Sequence, residues 1–256
     1  MTKRSNWSIP YLVFMLVFVV LPLVLVMVYA FQDGSGRFTL SNITRFFSDR
    51  DALSTFAVSI EVAIENTLIC LLLGYPAAWI LSNRKFNRSA VTVMLFLMPM
   101  WINALIRTLA TAELFHLLGF SLGKGTLLFG MVYDYLPFMI YPIYNVLMKM
   151  DASYAEAAQD LGATPWRVFW KVTVPLSKPG IMSGVLMVFM PTVSTFAISE
   201  FLTNNKIKLF GSIIQENINS SMWNYGAALS FIMLIIIGIT TLTGGREDTA
   251  AEGGLV

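Results

Sequence analysis

The sequence predicts an all-α, polytopic membrane protein with six transmembrane helices. Three observations carry this. Of 256 residues, 56% are hydrophobic and 12% are charged, about half the charge of an ordinary soluble domain. Mean hydropathy is +0.69. Six stretches also reach the ~20 largely apolar residues that cross ~30 Å of hydrocarbon.

These spans are read at 11–31 and at about 58–81, 90–112, 125–148, 180–200 and 225–243. The first, "YLVFMLVFVVLPLVLVMVYAF", follows Lys3 and Arg4 as a signal peptide would. A signal carries only ~7–15 apolar residues, so this stretch is expected to be a retained span. The second holds Cys70, the single cysteine, which leaves no disulfide framework within the chain. Pro22, Pro99, Pro137, Pro142 and Pro191 interrupt spans, as bundles tolerate around cavities. The expected organisation is one transmembrane domain, residues 1–256, with a cytoplasmic loop at about 150–179.

Six spans put both termini on one side. With the ends inside, ten of the 17 basic residues face inward and six outward, with Arg107 left in a span. The tight turn "NRKFNR" at 83–88 is the strongest inner anchor. The bias follows the positive-inside rule and places residues 150–179 in the cytoplasm.

Several function classes drop out. A net charge of +2 is too small to suggest nucleic acid. His116 is the only histidine, so neither a histidine metal cluster nor a Ser-His-Asp site is expected. "GFSLGKGT" at 119–126 has three residues between its glycines, and Gly125 follows Lys124. A phosphate-binding loop needs four residues there and Ser or Thr after the lysine. The stretch reads as an outer turn.

"EAAQDLGATPWRVFWKVTVPLSKPG" at 156–180 is the polar stretch that needs explaining. Tyr154, Ala157, Ala158 and Leu161 recur at helical spacing on one face, while Glu156, Gln159 and Asp160 point elsewhere. Gly162 ends this helix. Thr164 and Pro165 open a second one, "WRVFWKVTV". On physical grounds two readings stand side by side. The small face and acidic residues suit a partner protein, and Trp166 and Trp170 suit a helix lying in the headgroup region.

The segment resembles the cytoplasmic loop of the inner-membrane permease subunits of bacterial ABC importers. Glu156, Ala157, Ala158 and Gly162 match the core of that motif, and Val174, Pro175, Pro179 and Gly180 match its tail. "LGYPAAWIL" at 73–81, "MPMWINALIRT" at 98–108, "VYDYLPFMIYPIY" at 132–144 and "ISEF" at 198–201 resemble spermidine/putrescine permeases of the PotB type. Asp134 and the tail "GGREDTAAEGGLV" depart from that pattern. The resemblance implies a type I importer architecture in the bacterial inner membrane. It implies that Glu156, Ala157, Ala158, Asp160, Gly162 and Pro175 couple to an ATPase dimer, which alone holds ATP and Mg. It also implies a second, homologous permease and an extracytoplasmic binding protein. This chain is then a non-catalytic subunit binding no cofactor.

Ionisable residues inside spans are functional candidates. By ~1.5 Å rise per residue, Asp134 lies ~14 Å below the outer end of its span, near the midplane. Glu61 and Glu65 share a face in the outer part of the second span, and Glu200 ends the fifth. With Trp101, Tyr133 and Tyr135 these carboxylates suit a polycation route. The structural alternative pairs Arg107 with Glu61 or Glu65. Rival functions are a permease for another small solute, a stand-alone secondary transporter or channel, and an intramembrane enzyme.

Overall fold

A computed structural model describes residues 9–83, 87 and 90–244. Lys3, Arg4, Arg84, Lys85, Arg88 and Arg246, with most of the "NRKFNR" turn and nearly all of the C-terminal tail, lie outside the described residues. The described chain is helical, with one isolated bridge between Gln32 and Phe38.

The first span is α1 (Ile9–Met15), a π-helical turn at Leu16–Val20, and α2 (Leu21–Ala30). Its apolar side chains are exposed almost throughout, as suits a helix whose neighbour is lipid or another chain. Asn224 ties its end down by donating to the carbonyl of Gln32 at 2.9 Å. A short α3 (Ser41–Ser48) follows and buries Phe46 edge-on to Phe56 and Phe210.

The second span, α4 (Arg50–Ser82), runs 33 residues, about 50 Å of helix. It starts well before the expected residue 58 because Asp49 caps it, accepting from the N–H groups of Asp51 and Ala52. Four described helical stretches are long and apolar enough to span: Pro10–Ala30, Arg50–Ser82, Lys124–Lys149 and Trp223–Thr241. The count is six if each of two sharply bent pairs forms one span.

The first bent pair corrects the expected continuous span at 90–112. Helix α5 (Ala90–Leu97) runs into a 3-10 turn, Met98–Trp101. After an extended Ile102, α6 (Ala104–Leu117) sets off at 90°. The physical cause is legible: Pro99 supplies no N–H to the ladder, and Asn103 opens a fresh helix by accepting from Leu105 and Ile106. Pro137 and Pro142, by contrast, leave α7 (Lys124–Lys149) unbroken.

Next come α8 (Ser153–Asp160) and α9 (Pro165–Val168), a π-helical turn at Phe169–Thr173, and α10 (Val174–Leu176). Helix α11 (Lys178–Ser194) turns 64° from Pro165–Leu176 and forms the second bent pair. It stops at Ser194, so the expected span to residue 200 is divided. Glu200 sits on a separate α12 (Ala197–Thr203). Helices α13 (Phe210–Asn219) and α14 (Trp223–Gly244) complete the fold.

The central packing joins α4, α7 and α11 around Cys70, Tyr75, Ala78, Met139, Ile140, Ile143 and Val188. Small residues allow it. A β-carbon on Gly180 would lie 2.9 Å from the Pro142 carbonyl oxygen, and one on Gly184 would lie 2.8 Å from Met139 Sδ. Such close backbone approach replaces the hydrophobic drive that lipid cannot supply. Two polar contacts fix register within this core. Asn66 donates to Thr192 Oγ1 at 2.8 Å, and the Tyr75 and Ser177 hydroxyls meet at 2.9 Å.

Candidate functional site

Two regions hold the residues singled out from the sequence. The first is the polar segment between α7 and α11. Asp151 accepts from Ser153 N–H at 2.9 Å, and this bond holds its carboxyl below the ordinary carboxylate range. The helix it starts ends in a closed turn. Gly162 N–H donates to the Gln159 carbonyl at 2.8 Å, and Ala163 N–H to the Ala158 carbonyl at 3.0 Å. This is the paired bonding of a Schellman cap, and it requires the left-handed φ of +82° found at Gly162. Pro165 takes the first position of α9, as expected, while Thr164 makes no side-chain capping bond.

The face of α8 predicted from spacing is uncovered. Leu161 is 90% exposed and Tyr154 56%; Glu156, Ala157 and Asp160 are exposed and Ala158 is half-buried. The capped turn thus holds Leu161 and Tyr154 out from the rest of the chain. The second helical half behaves differently. Val168 is buried, and Phe169 packs edge-on against Tyr75 at 5.7 Å and Trp79 at 5.9 Å. Pro175 lies between these halves and α11, exposed.

The second region is the set of charges in and near the spans. Arg107 and Asp134 form an ion pair, Nη2 to Oδ1 at 3.1 Å, with side chains only 6% and 2% exposed. Thr108 donates to Asp134 Oδ2 at 3.1 Å, and the Arg107 guanidinium lies 5.4 Å from the centre of the Tyr133 ring. Arg107 Nε and Nη1 are buried with no hydrogen-bond partner among the described residues. The expected pairing of Arg107 with Glu61 or Glu65 is therefore replaced. Those two carboxylates share Lys124, at 2.6 and 2.8 Å. The reason is the helix start: Lys124 is not in a loop but opens α7, which brings its ammonium to the outer turns of α4.

Glu200 and Tyr135 come together although 65 positions part them in the sequence. They line a cavity of about 480 Å³ with Thr108, Phe196 and Phe201. The two phenylalanines and Thr108 were not among the expected site residues. Their only sequence signal is placement: Phe196 and Phe201 flank Glu200 in "TFAISEF", and Thr108 follows Arg107. Glu61 lines a larger cavity of about 760 Å³ beneath α3 and α13, together with Lys124, Lys208 and Glu216. Trp101 projects from the 3-10 turn, 79% exposed. Among the described residues, no three His, Cys, Asp or Glu side chains cluster as a metal site would require.

Among the described residues, buried charge is confined to one ion pair within a bundle of apolar helices that carries an exposed helical elbow. The chain belongs to the family of binding-protein-dependent transport system inner membrane components, whose family model matches residues 5–244. It is 33% identical over 229 residues to the spermidine/putrescine transport system permease protein PotB of Escherichia coli K12, covering 82% of this chain and 83% of that one. It is 31% identical over 246 residues to PotB of Haemophilus influenzae, covering 87% and 86%. The fold is that of a bacterial ABC transporter importing the acidic polysaccharide alginate, with TM-score 0.70 at 18% identity over 96% of this chain and 98% of that one. The MetNI methionine ABC transporter aligns at TM-score 0.58 and 15% identity, over 79% and 98%. The chain is thus a multi-pass inner-membrane protein of the ABC importer permease fold.

Proposed function

We propose that this chain is a permease subunit of an ATP-driven importer that moves polyamines, spermidine or putrescine, into the cytoplasm. The observation that carries this is the 33% identity to a spermidine/putrescine permease across 83% of that protein's length. The uncovered α8 face supports the coupling role. On this reading both termini and α8 face the cytoplasm, where Glu156, Ala157, Ala158, Asp160, Gly162 and Pro175 meet an ATPase dimer. ATP and Mg are held by that dimer, and this chain binds no cofactor and makes or breaks no bond. A second, homologous permease completes the pathway, and an extracytoplasmic protein delivers substrate.

For the route we favour the cavity lined by Tyr135, Phe196, Phe201 and Glu200. Aromatic faces and a carboxylate are what an alkyl polycation needs. Asp134, neutralised by Arg107, acts on that route from one layer behind by holding α6 against α7. Trp101, Tyr133, Glu61 and Glu65 lie outside the lining of that cavity and are proposed as further contacts on the path.

The test is uptake of labelled spermidine and putrescine into vesicles holding the four-component complex. Uptake that requires ATP and the binding protein is the expected result. ATP-independent uptake would refute the importer reading. ATP-driven transport of another solute, with polyamines excluded, would refute the substrate.

A further inference from the structure

The segment between α7 and α11 divides into halves of opposite charge. From Asp151 to Leu161 the charged residues are Asp151, Glu156 and Asp160, with no base among them. From Pro165 to Leu176 they are Arg167 and Lys171, with no acid. In this second half Trp166 is 71% exposed and Trp170 53%, and Arg167 and Lys171 are exposed beside them. Residues three and four apart share a helix face. The two indoles accordingly meet at 5.7 Å, and the two cations form the neighbouring stripe.

The height and tilt of this half are set by Phe169, whose ring touches both indoles and reaches past them to the second span. Phe169 packs on Tyr75 and Trp79, and Ser177 meets the Tyr75 hydroxyl. Both anchors lie within about two turns of the end of α4 at Ser82, by 3.6 residues per turn. Pro165–Leu176 makes 64° with the apolar helix that follows, so with that helix along the membrane normal it lies nearer the membrane plane. An anchored inner face, indoles and cations outward, and a flat course at the end of a span make up the profile of an interfacial helix.

We propose that residues 165–173 of this half are seated on anionic phospholipid headgroups, with Pro175 beyond them left to the protein partner. Trp166 and Trp170 sit at headgroup level, and Arg167 and Lys171 bind the phosphates. The acidic α8, joined through the Gly162 turn, is left free for a protein partner. Lipid charge then sets how the elbow is presented. Basic charge on this half complements an anionic surface, and a protein groove shared with α8 would have to satisfy both signs at once.

The test uses the full chain in vesicles of brominated phosphatidylcholine, with and without brominated phosphatidylglycerol. Subtracting the fluorescence of Trp166→Phe/Trp170→Phe isolates the two indoles from the other tryptophans. Their quenching should rise with the anionic lipid. Arg167→Gln/Lys171→Gln should need about fivefold more of it for each cation removed, the factor that corresponds to ~1 kcal/mol per base at an anionic surface. These are exposed side chains, so folding is not at stake. Indoles that stay unquenched in both mixtures would overturn the proposal, as would an unchanged lipid dependence in the double variant. In the assembled transporter the same variant should keep its ATPase subunits. Their loss would place the patch in the protein interface instead. The lipid measurement needs only this chain in a bilayer, so it fails or succeeds separately from the importer assignment.

Discussion

Replacing Gly162 separates two reasons for a glycine at the elbow. Its φ is +82°, and a β-carbon there would meet nothing within 4 Å in this chain. Alanine therefore adds no clash, only the cost of an L-residue in the left-handed region, about 1–2 kcal/mol. That energy corresponds to a factor of about 5–30 in the population of the capped turn. Affinity for a partner that needs the turn falls by the fraction lost, so the ATPase subunit should bind Gly162→Ala up to about 5–30-fold more weakly. Asparagine visits this region routinely, and Gly162→Asn should stay within about threefold of the parent. Gly162→Asp has similar backbone tolerance but adds charge at the docking surface, and should lose docking and transport while membrane insertion survives. The assay is equilibrium binding of the purified ATPase to detergent-solubilised permease, with membrane levels measured in parallel. If Ala binds as well as Gly, the left-handed turn is not what the partner requires. If Asn fails as badly as Ala, the requirement is close approach by the partner, not backbone conformation.

Glu156→Lys should weaken ATPase co-purification more than Glu156→Gln, since reversal adds repulsion against the basic groove expected of the partner; equal recovery of both would remove Glu156 from the interface. Asp134→Asn should leave the Arg107 guanidinium buried and unpaired, lowering stability by about 3–5 kcal/mol. Adding Arg107→Gln should restore part of the loss in thermal unfolding in detergent, and additive losses would show that the 3.1 Å pair is not energetically coupled. Gly180→Ala should destabilise by about 1–3 kcal/mol through overpacking, because its β-carbon would fall 2.9 Å from a backbone oxygen. Gly238→Ala in α14, with nothing within 4 Å, should stabilise by roughly 0.5–1 kcal/mol, and a matching loss at both sites would show that helix packing is not the cause.

What the sequence determined by itself is everything that depends on neighbours along the chain. Apolar runs are local, so the membrane class and the rough position of the apolar stretches were legible from composition and length, although α4 starts well before its apolar run. The break at Gly162 and the start at Pro165 were legible too, because caps are written in adjacent residues. That Tyr154, Ala157, Ala158 and Leu161 share a face followed from the 3.6-residue repeat; its exposure did not. Pro99 announced an interruption, but not a 90° one, since α7 carries two prolines without breaking. Tertiary structure alone decided which charges meet. The period of a helix tells which side chains share its face and nothing about the rotation or depth of its neighbour. Asp134 thus found Arg107 and Thr108, and Glu61 and Glu65 took Lys124, through the way α4, α6 and α7 stack. The Tyr135–Glu200 cavity depends in the same way on α11 ending at Ser194 and α12 turning back toward α6 and α7, a course set by contacts between helices that no local pattern records.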